Sequence, residues 1–572
     1  MVGGPEALSR LTGRLEDFDL YSQAHPSAIC NSYFNSGASP SRLAGDGTGS
    51  ISAEFALTRQ KVGVLERQPK KKRGSLPTLD FSEGDLKFAF REAAAVTKDY
   101  FNSVNEWRVF PQVHGKHLRR VIRKRLPQGP TSPREVIREF RETILANARH
   151  NLHPRFFGYV SSSGNPVGVM ADLLTSTINQ NVTAWRSAPS AVETELLAID
   201  WIKEILGYPR DAIGMFMSGG SLATLQALAI AREVKAGKDV SRNGMQALGH
   251  PRMTLYMSEQ GHMSIPKSAA LLGLGRSSVR TVSVDHAFRM ELSDLEKQIA
   301  QDRRRGHRPF CVVASAGTVN TGAIDDLEGV ARICRREGLW FHVDGAYGGF
   351  AALVPAIRNR FRGIEKADSV SLDPHKWLYQ PLDAGCILVR DRRHAYRTFS
   401  GSGEYAKVIA GIPGEDFAFF EHGIELSRRF RALKIWMAFR CYGARLLAAC
   451  IEKNLNMAQV LGSLVTANEY LEILAPIELS IVCFRYVPIA VRKAYARRGP
   501  AQKHKLDQRL NRLNEAIVTQ LQRGGKAYLS NAVLNGRFAL RGCILSYRTE
   551  ERDLKILIDE VVRIGQRCEK KF

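Results

Sequence analysis

Several familiar signals are missing from this chain of 572 residues. No uncharged apolar run reaches about 18 residues, the length a bilayer demands of a spanning helix. The opening stretch, MVGGPEALSRLTGRLEDFDL, has no apolar segment behind a basic one, so a secretory leader is not expected. Together these absences predict a cytoplasmic protein without a membrane span. The nine cysteines form no CxxC pair and keep no regular spacing, which excludes a disulfide framework and gives no metal site. Neither a P-loop nor a GxGxxG pattern occurs, which disfavours nucleoside triphosphates and nicotinamide dinucleotides.

Acidic residues are also scarce, 57 against 82 Lys and Arg, leaving a net charge of +25. Such an excess invites a nucleic-acid reading. Residues 1–75 do not carry it, since they hold ten basic and seven acidic residues. Short clusters in the body do, among them HLRRVIRKRLP (117–127), DRRRGHRP (302–309) and LSRRFRALK (426–434). They are dispersed and lack the aromatic platform of a single-strand binder, so they are read as a solvated basic surface and a nucleic-acid partner is not expected.

Four regions differ in pattern. Residues 1–75 are rich in Gly, Ser and Ala without sustained periodicity, and are expected to be a disordered extension. Residues 76–165 carry helical patterns, one behind Ser82 as a cap candidate and one opening at Ser-Pro. Through 166–433, apolar runs alternate with helical segments: IGMFMSGG, RMTLYMS, PFCVVASAG, LWFHVDGA, ADSVSLDPHKW and AGCILVRD are the runs. That alternation predicts an α/β fold with a mostly parallel sheet covered on both faces, its ligand at the C-terminal ends of the strands. Residues 434–572 read as a smaller α+β domain.

Three strand ends carry chemistry. FMSGGSLAT places Ser218, Gly219, Gly220 and Ser221 between a strand and a helix, where unpaired N–H groups and the dipole favour a phosphate, although a plain strand–helix turn would look the same. LWFHVDGAYGGF ends an apolar strand on Asp344, a costly place for a carboxylate unless a cation meets it; a salt bridge or a helix cap would also serve. In SLDPHKWLYQP, Lys376 stands among apolar neighbours that would favour its neutral amine, as a Schiff-base lysine requires. A phosphate cradle, a carboxylate and a reactive lysine on adjacent strand ends are together the contacts that pyridoxal 5′-phosphate needs.

The motifs HPRFFGYVSSSGNP, TAWRSAPSAVETELLAIDWIKEILGYP, SGGSLATLQAL, SEQGHMSIPKSAALLGLG, AGTVNTGAIDDL, FHVDGAYGG, DPHKW and SRRFRALKIWM occur in this order. By them the chain resembles the pyridoxal-phosphate group II decarboxylases of fold type I, the aromatic L-amino-acid, glutamate and related decarboxylases, from about residue 80 onward. DPHKW and the strand behind it look closer to bacterial members. The resemblance implies an aspartate aminotransferase-like fold, a homodimer, a Schiff base at Lys376 and a pairing of Asp344 with the pyridine nitrogen. It implies that Gly220 and Ser221 hold the phosphate beside His375, that His262 and Ala346 flank the ring, and that Thr318 lies near the cofactor. Val319 stands where a second threonine is common. Tyr405, twenty-nine residues after Lys376 in a Gly/Ser-rich stretch, falls where the family carries its proton donor, though an ordinary loop tyrosine would look alike.

Tyr159, Ser162 and Trp185 are the candidate substrate contacts, with Val160 beside them. An aromatic lining favours tyrosine, dopa or tryptophan, decarboxylated to the amine and CO2. Arg186 beside Trp185 keeps an acidic substrate (glutamate, aspartate or cysteine sulfinate) in view, and an aldehyde synthase is the other alternative. A basic nucleic-acid-binding protein on a decayed enzyme fold ranks below these, because Lys376 and Asp344 are both present.

Overall fold

The computed structural model describes residues 78–236, 240–245, 251–401, 414–495 and 497–570. The extension expected over residues 1–75 and the candidate proton donor Tyr405 lie outside the described residues. The strands and helices of the fold belong to the unit Asp80–Phe572.

Six apolar runs become strands of one sheet: β2 (Ile213–Met217), β3 (Met253–Ser258), β5 (Arg308–Ser315), β6 (Trp340–Asp344), β7 (Ser369–Leu372) and β8 (Gly385–Val389). Their β-branched and aromatic residues are buried on both faces, as a helix-covered sheet requires. A seventh strand, β4 (Val279–Val282), completes the order β2-β8-β7-β6-β5-β3-β4. Its sequence, VRTV, is too short and too polar to stand out as a strand. β7, β6, β5, β3 and β4 run parallel, and β8 is antiparallel to both neighbours, β2 and β7. The C-terminal ends of β2, β5, β6 and β7 therefore open on the same edge.

A second sheet has the order β1-β11-β12-β10-β9, from β1 (Phe156–Phe157), β9 (Leu471–Ile473), β10 (Ile481–Tyr486), β11 (Tyr528–Leu534) and β12 (Arg537–Cys543). Helices Pro500–Gly524 and Glu551–Glu569 pack their apolar stripes on it. Burying each of their Leu, Ile and Val side chains contributes about 1.5–3 kcal/mol. The expected α/β architecture, a mostly parallel sheet with a smaller α+β part, is thus present. The helix Glu83–Ser103 starts at Ser82, whose Oγ accepts from the Asp85 N–H at 3.1 Å. Among the described residues no helix is long and apolar enough to cross a membrane.

One basic cluster departs from the sequence reading. In LSRRFRALK, Arg428, Arg431 and Lys434 are buried rather than solvated. Each has found a carboxylate: Arg428 meets Glu195, Arg431 meets Glu425 and Asp383, and Lys434 meets Asp172 at 2.9 Å. The cluster is an internal clamp because its partners come from distant segments that no local pattern reveals.

Candidate active site

The ends of β2, β5, β6 and β7 surround a cavity of about 570 Å³. β2 leads through Ser218 and Gly219 straight into the helix Gly220–Ala236. A Cβ on Gly220 would come to 3.0 Å from both the Ala346 Cβ and Asp373 Oδ2, so glycine lets this backbone lie close without displacing either. At Gly385, the first residue of β8, a Cβ would reach the Gly219 backbone at 2.3 Å. The turn is pinned from both sides, and the first N–H groups of the helix, which have no intrahelical acceptor, border the cavity.

Asp344 ends β6 in register with Ser315 of β5 and Ser371 of β7. Its Oδ1 accepts from the Ala346 N–H at 3.1 Å and lies 3.3 Å from the Ser371 hydroxyl. His262, in the turn after β3, has its Nδ1 2.8 Å from Ser264 Oγ and 3.3 Å from the Ser264 N–H. That leaves Nε2 as the protonated nitrogen of the neutral ring. Burial lowers its pKa, and the Asp344 carboxylate opposes this only in part.

After β7 the chain turns at Asp373 into one helical turn, Pro374–Trp377. Trp377 is fully buried; its indole N–H donates to Asn454 Oδ1 at 3.1 Å, and the Tyr379 hydroxyl donates to the same oxygen at 2.7 Å. Ser162 Oγ donates to the His375 carbonyl at 2.9 Å, and the Ala384 N–H donates to His375 Nδ1 at 3.1 Å. Burial holds the His375 imidazole below the ordinary histidine value. With its neighbours so anchored, Lys376 presents its amine to the cavity, one-fifth exposed.

The amine is not in apolar surroundings alone, contrary to the sequence reading. Burial pushes its pKa down, but the Asp373 carboxylate, 2.8 Å away, and the more distant Asp344 outweigh that and hold it above the ordinary lysine value. The cause sits three residues upstream, at Asp373.

Of the expected site residues, Lys376, His262, Asp344, Gly220, Ser221, Thr318, Ala346, His375 and Tyr159 line this cavity, as does Val160. Thr318 is nearly fully buried, its hydroxyl 2.9 Å from that of Thr321 and accepting from the Ala323 N–H. Ser162 lines an adjoining cavity of about 430 Å³ instead, where its hydroxyl supports His375. Trp185 lines neither, because its indole N–H turns to Glu193 Oε1 at 2.8 Å. Arg186 pairs with Glu415 at 3.7 Å and also lies away from the cavity.

The far wall comes from the second sheet: Ser530 and Asn531 of β11 and Arg541 of β12. Arg541 is only 3 % exposed. Its guanidinium donates to the carbonyls of Asn320 and Tyr159 and to Ser530 Oγ, yet among the described residues no carboxylate faces it and Nη2 has no partner. A buried arginine held by neutral groups is a waiting anion site. The clue in the sequence was an arginine at an inward phase of the apolar strand RFALRGC, a pattern that only its register makes visible.

The cavity fits pyridoxal phosphate: a glycine-tight cradle at a helix start for the phosphate, a lysine amine for covalent attachment, and a carboxylate on the neighbouring strand for the ring nitrogen. Residues 115–487 match the model of the pyridoxal-dependent decarboxylase conserved domain. The chain is 33 % identical over 488 residues to an aromatic-L-amino-acid decarboxylase of Bacillus atrophaeus, covering 85 % of this chain and 97 % of that one. It is 27 % identical to a phenylacetaldehyde synthase of Arabidopsis thaliana, covering 80 % and 91 % of the two chains. The crystal structure of Oryza sativa TDC with PLP and tryptamine superposes with a TM-score of 0.78 at 27 % identity, covering 86 % of this chain and 99 % of that one. The chain therefore belongs to the pyridoxal-dependent decarboxylase family and is a pyridoxal-phosphate-dependent amino-acid decarboxylase.

Proposed function

We propose that the substrate is an aromatic L-amino acid, tyrosine, dopa or tryptophan, and that the products are the amine and CO2. The observation that carries this is the single buried, carboxylate-free arginine among the described residues of the cavity, Arg541. One such cation serves the carboxylate common to every amino acid. An acidic side chain would need a second, and the only other lysine or arginine among the described lining residues is Lys376, engaged by Asp373. Tyr159, Val160 and His262 offer an aromatic and apolar lining instead. The aromatic-L-amino-acid decarboxylase above supports the same substrate class, while the phenylacetaldehyde synthase keeps the aldehyde product as the alternative.

In this reading Lys376 attaches the cofactor, Gly220 and Ser221 hold its phosphate, and Asp344 keeps its ring nitrogen protonated. His262 and Ala346 flank the ring. When bound, the cofactor supplies an electron sink for the pair left behind as the Cα–carboxylate bond breaks. Arg541 fixes the carboxylate, and Tyr405 returns a proton to Cα.

We place the cofactor domain at 166–433 and the smaller domain at 434–572. A homodimer accounts for the apolar side chains that the helix Pro166–Ile178 leaves exposed, namely Met170, Leu173, Leu174 and Ile178. The test is to measure CO2 release and product identity across all amino acids. Fastest turnover of tyrosine, dopa or tryptophan to the amine is expected. Preferential turnover of an acidic amino acid, or aldehyde as the main product, would replace this reading.

A further inference from the structure

One stretch of strong positive charge has no part in the catalytic cavity. Residues 488–514 carry eight Lys and Arg and a single acid, Asp507. That acid is spent on the interior: its Oδ1 accepts from the buried Arg485 at 2.6 Å and its Oδ2 from the Tyr495 hydroxyl at 2.9 Å. Lys493, Arg497, Arg498, Lys505, Arg509 and Arg512 are exposed, and none of them lines the catalytic cavity. Among the described residues Lys493, Arg497, Arg498, Lys505 and Arg512 meet no carboxylate. Arg497 and Arg498 also stand just before the helix Pro500–Gly524, and Lys503 near its start, where the first turn has no acid. Cations at the positive end of a helix dipole cost stability, and anions outside the chain would offset that cost. Beside these cations a cavity of about 340 Å³ opens between the helices Ile489–Tyr495 and Pro500–Gly524 and the end of Glu551–Glu569. Val491, Leu506, Leu510 and Leu513 give it apolar walls, and Arg509 and Lys570 border it. Glu569, the one acid in its lining, is engaged by the Tyr486 hydroxyl at 2.7 Å.

We propose that this face of the smaller α+β part binds an anionic phospholipid surface, with headgroup phosphates on the exposed cations and an acyl segment in the apolar crevice. A cluster of four to eight Lys and Arg on helices is what the field of an anionic leaflet attracts. A nucleic-acid backbone would use the cations but has no apolar chain for the crevice. Nor does the face offer a platform for bases, because Tyr495, the one aromatic residue of 488–514, has the Lys503 amine 5.5 Å from its ring centroid. An acidic peptide is recognised by guanidiniums held in fixed geometry, as Arg541 is held. The five cations above are exposed and have no fixed partner among the described residues, which suits the spread charge of a lipid surface instead.

The test is co-sedimentation of the full, cofactor-loaded chain with vesicles of phosphatidylcholine alone and of equimolar phosphatidylcholine and phosphatidylglycerol. Binding to the second kind only, weakening as salt rises, is expected. Lys493→Ser, Arg498→Ser, Lys505→Ser and Arg512→Ser together are expected to weaken it by about fivefold per charge, roughly several hundredfold in all, while CO2 release stays as in the wild type and reports an intact fold. Val491→Gln, which keeps every charge, is expected to weaken binding without altering its salt dependence. A control removes the same charge from HLRRVIRKRLP, by Arg119→Ser, Arg120→Ser, Arg123→Ser and Arg125→Ser, and is expected to leave binding in place. Equal loss in the control would trace binding to the net charge of the chain and overturn the proposal, as would no binding to the anionic vesicles. Unchanged binding by Val491→Gln would overturn the acyl contact. Capture of duplex DNA or polyglutamate in place of the vesicles, lost in the four-site variant, would give the face to that partner instead.

Discussion

The rings of Trp377 and Tyr347 stack, with centroids 5.1 Å apart and planes 11° from parallel. Tyr347 follows Asp344 on the segment leaving β6, and Trp377 follows Lys376 on the turn leaving β7. The stack therefore ties together the two strand ends that carry the carboxylate and the amine. Trp377→Ala is expected to cost about 3–5 kcal/mol of stability and to lower cofactor affinity. Trp377→Phe keeps the stack and loses only the hydrogen bond to Asn454, about 1 kcal/mol. Thermal unfolding and cofactor titration on both variants check this; equal losses in the two would show that the stack is not what matters.

Lys376→Ala removes the amine at the end of β7. Borohydride treatment of the cofactor-loaded variant is expected to leave no cofactor attached to the protein, whereas the wild type retains it covalently. A retained link by peptide mass would move the attachment to another lysine.

Arg541→Met takes away the buried cation of the far wall. It is expected to lower kcat/KM for amino acids by on the order of a hundredfold or more, with Arg541→Lys recovering part of the loss. Binding of the product amine, which has no carboxylate, should change little. Equal weakening of amine and amino acid would mean that Arg541 only supports the wall.

Tyr405→Phe removes the hydroxyl proposed to return the proton to Cα. Amine output is expected to fall, with aldehyde appearing among the products. Unaltered amine output without aldehyde would assign the proton to another group.

Stability should fall on mild acidification. Burial lowers the pKa of His342 and of His153 to about 4, so the folded protein resists protons that the unfolded chain accepts near 6.5. Their contribution is complete above 6.5 and is lost as pH falls towards 4, at most about 3 kcal/mol each. Asp325 works the other way: burial raises its carboxyl to about 6, so it penalises the fold at neutral pH and relieves that penalty over the same window. Thermal midpoints between pH 7 and 4 should therefore drop more steeply in Asp325→Asn than in the wild type, and less steeply in His342→Gln. A wild-type midpoint that does not move would contradict the assignment.

The cradle, Asp344 and Lys376 were legible because each ends an apolar strand, where one polar residue breaks a strong pattern. The strands themselves were legible for the same reason, except short or polar ones such as β1, β4 and β9. Arg541 was hidden because its relevance depends on a second sheet folding back over the first. Trp185 misled because an aromatic residue in a motif says nothing about which way its ring turns, and here it turns to Glu193. Asp373 was in plain view beside Lys376, but a charge three residues away matters only once a helical turn brings the two together.

The cavity has two walls of separate origin. The Gly219–Gly385 contact leaves the cradle side without room for a single added carbon. The β11–β12 side meets no such limit at the exposed Asn531. Substitutions at Asn531 therefore have the room that the cradle side denies, and are expected to leave the cofactor's seat as it is.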